Sequence, residues 1–103
     1  MRNMTVYMNY LVDMAGNPET SVNNLTYLAN DFTRDLLQEV AQNLKTPIHV
    51  LNNLAHHDSY WVRLGVARNP QTPLEKLAHL SVEDGEVLVR RAAQQTIKVY
   101  KND

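Results

Sequence analysis

The sequence predicts an all-α protein, a short solenoid of stacked helix pairs with a period of 26 residues. Three observations predict it. Asn17, Asn43 and Asn69 stand 26 positions apart, and Thr20, Thr46 and Thr72 keep the same step. Apolar columns follow: Val22, Ile48 and Leu74; Leu25, Leu51 and Leu77; Leu28, Leu54 and Leu80. Within each unit these residues fall three apart, the spacing of one helix face, and no alternating β pattern interrupts them. Internal repetition of this kind marks units that bury their apolar faces only by stacking.

Taken in order, residues 1–16 read as a degenerate opening helix, with Tyr10, Met14 and Ala15 in register with Leu36, Val40 and Ala41. Gly16 is expected to end it in a left-handed cap conformation. Repeats then occupy 17–42, 43–68 and 69–95, with 96–103 as a C-terminal extension of the last helix. The stretch from Asn69 to Ser81 shows the grammar most clearly. Asn69-Pro70 is a turn dipeptide. Thr72 reads as an N-cap, Pro73 as the first helical residue, and Glu75 completes a capping box. Leu74, Leu77 and Leu80 are expected on one buried face. Asp58 is expected to cap the second helix of repeat two. Asp84-Gly85 makes the internal turn of repeat three, where one residue is inserted, so that Val89-Arg90 matches Val62-Arg63. In repeat one the second helix is expected to begin near Asp31 or Thr33. Leu51, Leu54, Val62, Val66, Leu77 and Leu80 are the expected core.

Composition narrows the function. The chain has 103 residues, no cysteine and a net charge of -1. Disulfides and thiolate chemistry are therefore excluded, and no general attraction to nucleic acid or anionic membranes follows. No apolar run approaches the ~18 residues of a membrane span, and no signal-peptide core is present. A cytoplasmic protein is the default expectation.

The pattern Asn-Pro-x-Thr-Pro-x-x-x-Leu-x-x-Leu, followed by Val62-Arg63-Leu64-Gly65-Val66-Ala67-Arg68-Asn69-Pro70, resembles the leucine-rich repeat variant family, related in style to HEAT and armadillo repeats. The resemblance implies a right-handed superhelix of helix pairs and a role in binding, usually of proteins. It implies no catalytic residues. The residues themselves agree. His49, His56, His57 and His79 lack the i, i+4 spacing of a zinc pair. Glu83, Asp84 and Glu86 lack calcium-loop spacing. Gly16, Gly65 and Gly85 form no phosphate loop, and no nucleophile motif is present. No enzyme, cofactor or metal is expected.

Arg63 and Arg90 carry two readings: guanidinium groups facing a ligand, or bridges to aspartates and carbonyls of neighbouring turns. Two function classes follow. The first is a protein-interaction module, an adaptor or an inhibitor that occupies a partner's surface. The second is a nucleic-acid binder using Arg63, Arg68, Arg90 and Arg91. Before residue 58 there are three basic and five acidic side chains, and from 58 onward seven and six. That balance is small for a nucleic-acid footprint and favours the protein partner. The expected contact ridge is Tyr60, Trp61, Leu64, Arg68 and Arg91. Its column changes from Asp35, Gln38 and Gln42 in repeat one to Leu88, Arg91 and Gln95 in repeat three, which is unlike a core column. The alternative is that Trp61 packs across the groove against Leu88. The opening helix carries Met4, Tyr7, Met8, Tyr10, Leu11, Val12 and Met14, more than one face can bury, and is a candidate for a homodimer contact.

Overall fold

A computed structural model describes residues 4–28 and 34–101, with side chains described at 10–26 and 34–100. Seven helices follow one another: α1 (Met4–Gly16), α2 (Val22–Leu28), α3 (Arg34–Gln42), α4 (Ile48–Leu54), α5 (Tyr60–Arg68), α6 (Leu74–Glu83) and α7 (Val87–Lys101). No strand occurs among the described residues. The expected start near Asp31 or Thr33 lies outside them.

Helices α1, α3, α5 and α7 pack in series to form one layer. Each of α2, α4 and α6 packs on the helix that follows it. The core runs between these sets. Leu51, Leu54, Val62, Val66, Leu77 and Leu80 are all buried, as their repeat columns require. Leu36, Val62 and Val89 are fully buried at one shared column, but Tyr10 at the same column is 61% exposed. No described residue covers that side of α1, which is anchored instead by Leu11 and Ala15.

Three local expectations are corrected. Leu74 is 51% exposed, and its column mates Val22 and Ile48 are exposed to a similar degree. These residues begin their helices and point away from the second layer. Gly16 does not adopt left-handed backbone; it lies within α1, its Cα close to the end of the Glu39 side chain. Asp58 does not cap α5: the neighbouring Ser59 hydroxyl accepts the Trp61 N–H at 3.3 Å.

The turns correct a fourth and reveal how the units are joined. Thr72 does not cap α6, whose start has no side-chain cap. Its hydroxyl is fully buried and donates to the Val66 carbonyl at the end of α5, at 2.8 Å. Thr46 and Thr20 donate likewise to Val40 and Met14. Thr thus adds a second donor to a carbonyl behind it, which already accepts the turn Asn N–H, rather than capping an N–H ahead. Asn69 is 1% exposed. Its Nδ2 donates to Ala41 O at 2.8 Å and Asn43 O at 3.0 Å, on either side of the preceding unit junction, while its Oδ1 accepts the Gln71 N–H. Asn43 repeats this, donating to Ala15 O and Asn17 O and accepting from Lys45 N–H. An amide is suited to the position because it offers two donors and an acceptor together. At the next step of the column stands Thr96, whose hydroxyl reaches Ala67 O at 2.6 Å.

Candidate protein-binding face

Helix α5 lies between α3 and α7, so both its flanks are used. Toward α3 it presents Gly65. A Cβ there would come within 2.8 Å of Ala41 Cβ and 3.0 Å of Gln38 O, so glycine permits the close approach. Leu64 is 2% exposed and belongs to the core, which corrects its place in the expected ridge. The column is polar at half-buried Gln38 on α3 and cationic at exposed Arg91 on α7, and the apolar Leu64 is its buried member. Arg91 lies on α7, where no described helix follows.

The other ridge residues remain accessible. Trp61 is 36% exposed and stacks on half-buried Tyr60, with ring centroids 4.8 Å apart. Arg68, at the end of α5, and Arg91 are exposed. Together with Leu88, Ala92, Gln95 and Thr96 they line a groove of about 450 Å³ between α5 and α7. Neither guanidinium has a hydrogen bond or ion pair among the described residues. Trp61 does not line this groove; it lies two turns before Arg68 on the same helix. The structure therefore joins Arg68 and Arg91 in one place and Tyr60 and Trp61 in another. Leu88, which is 48% exposed, and Gln95 line the groove as well, and sequence reasoning placed them only as counterparts of Trp61 and Arg68. Their signal was available in the column alignment.

The four arginines of the nucleic-acid reading do not form one patch. Arg63 Nε donates to Asp84 Oδ2 at 2.8 Å and its Nη2 to Oδ1 at 3.3 Å, a two-pronged pair. Its Nη1 donates to the carbonyls of His57 and Asp58. Arg90 Nη1 donates to Asp84 O at 2.7 Å. Both arginines thus hold turns, the second of the two readings. They border a different side from Arg68 and Arg91.

The histidines serve locally. His57 Nδ1 accepts the Ser59 N–H at 2.9 Å, and His56 Nε2 lies 3.3 Å from Lys76 Nζ. Among the described residues no three His, Cys, Asp or Glu side chains are grouped as a metal would require, and no helix is long and apolar enough to cross a membrane.

An all-helical chain with repeated turns and a cationic, partly apolar groove belongs to the class of helical repeat proteins. The leucine rich repeat variant family model matches residues 60–86, spanning α5, the Asn69 turn and α6. For that segment the resemblance read from the motif is borne out. Comparison with curated proteins and with solved structures returned no match.

Proposed function

We propose that residues 1–103 form a single repeat domain, a short right-handed solenoid, that acts without catalysis by binding another protein. It serves as an adaptor, or as an inhibitor that covers a partner's surface. The observation that carries this reading is the groove in which Arg68 and Arg91, without acceptors among the described residues, flank exposed Leu88. Free guanidinium groups beside apolar surface suit an acidic segment with an apolar anchor, and Trp and Arg are the residues most often dominant at interfaces. Tyr60, Trp61, Leu88, Arg68 and Arg91 are the proposed contact set. The domain is placed in the cytoplasm.

Capture from the native cell, read by mass spectrometry, tests this. A protein retained by the wild type and lost by Arg68→Glu/Arg91→Glu is the expected result. Equal retention by both would remove the groove from the account. Heparin provides the control for nucleic acid. Elution below physiological salt is expected, because two local arginines in a nearly neutral chain release few counterions. Tyr10 on α1 supports a subsidiary reading, a homodimer through that helix. Sedimentation as a monomer at all concentrations would remove it.

A further inference from the structure

Arg63 and Arg90 occupy the same position in successive units, once the inserted residue of repeat three is counted. They share one anchoring bond, to which Arg63 adds a second, from Nη1 to Asp58 O. Each donates from Nη1 to the carbonyl six residues earlier, Arg63 to His57 O at 2.8 Å and Arg90 to Asp84 O at 2.7 Å. That bond ties down Nη1 and leaves Nε and Nη2 available to another acceptor. In Arg63 these two donors grip the Asp84 carboxylate of the following unit, with the Arg and Asp side chains 18% and 4% exposed. In Arg90 neither has an acceptor among the described residues. Glu83 and Glu86 stand nearby in sequence, are exposed, and make no ion pair with it.

The turn that joins the earlier units is not repeated at the end of repeat three. Where repeat three opens with Asn69-Pro70-Gln71-Thr72-Pro73, the same columns one unit on, within α7, hold Thr96-Ile97-Lys98-Val99-Tyr100. Both prolines and the turn asparagine are replaced by residues a helix tolerates. The helix runs on to Lys101, and the Tyr100 hydroxyl folds back onto the carbonyls of Pro70 and Thr72.

We propose that Arg90 is a carboxylate-docking residue. Its Nε and Nη2 take an aspartate of a partner protein as Arg63 takes Asp84, so that the partner seats against α7. The molecule's own Arg63–Asp84 pair is the template for the ligand chemistry: a planar fork meeting a carboxylate, with geometry a lysine cannot supply. Because Nη1 is already anchored, less side-chain freedom is lost on binding than at the unanchored Arg91. The proposal rests on the protein-binding reading but not on the Arg68–Arg91 groove.

The probe is N-acetyl-aspartate amide, titrated into the whole chain while the arginine Nε–H resonances are followed by NMR. A saturable shift of Arg90 Nε–H is expected, half-complete at a concentration several-fold below that needed at Arg91. Arg63, already engaged, should not move, and N-acetyl-asparagine amide should produce no saturable shift. Arg68→Glu/Arg91→Glu should leave the Arg90 response intact, which separates this site from the groove. In Arg90→Lys the response of the backbone amides from Asp84 to Val87 should disappear. An Arg90 signal that moves no more than that of Arg91, or equally with the asparagine analogue, would overturn the proposal, as would a response that survives in Arg90→Lys.

Discussion

Arg68 and Asn69 are neighbours in the chain and opposites in the structure. Asn69 is buried and its side chain makes three hydrogen bonds, two of them to carbonyls at the preceding unit junction. Arg68 is exposed, lines a groove and bonds to nothing among the described residues. The contrast shows how such a chain divides its labour. The seam between units is built from small polar residues with no latitude, because each buried donor and acceptor must be matched. The face beside it is built from long side chains that the fold does not need, and those are available to a partner.

Substitutions can break this contrast. The largest effect is expected in the apolar core beside the seam: Leu51→Ala, at a fully buried position, should cost ~2–5 kcal/mol by urea denaturation. Asn69→Ala should follow, at about 3 kcal/mol, because it strands the Ala41 carbonyl and the Gln71 N–H and takes one of two donors from the Asn43 carbonyl. A loss below that of an ordinary surface change would mean that the seam is not held by the amide. Thr72→Val keeps the shape and removes the hydroxyl, and should cost roughly 1–2 kcal/mol. Thr72→Ser should restore most of it, since the bond to Val66 O needs only the hydroxyl. On the face, Arg68→Glu/Arg91→Glu should change stability by less than ~0.5 kcal/mol while abolishing capture of the partner. A large loss of stability there would assign these arginines to the fold.

How much of this could be read from the sequence follows the same division. The core columns were legible because stacking forces the same residue type into each unit, as at Leu25, Leu51 and Leu77. Repetition alone does not mean burial, however: Val22, Ile48 and Leu74 recur just as faithfully and are all about half exposed. Thr72 was misread because a threonine before Pro73 suits an N-cap and a backward bond equally well. Only the fold brings Val66 O within reach of it. The bonds from Asn69 to Ala41 and Asn43 were hidden for the same reason, although the asparagine column itself was plain. Leu64 was misassigned because its column varies. Variation alone does not place a column at the surface: half-buried Gln38 and exposed Arg91 share the column of buried Leu64. Arg68 and Arg91 were legible as a pair because their residue types do not suit a core.

The division between seam and face is tested most directly by hydrogen exchange of two side chains in one NMR experiment. Asn69 Nδ2–H is buried with two carbonyl acceptors, whereas Trp61 Nε1–H has no acceptor among the described residues and sits on a partly exposed ring. The account predicts that the Asn69 amide exchanges only through opening of the unit junction, orders of magnitude slower than an unprotected amide. The Trp61 indole should exchange close to its unprotected rate. Similar protection at the two sites, or an Asn69 amide that exchanges freely, would contradict it.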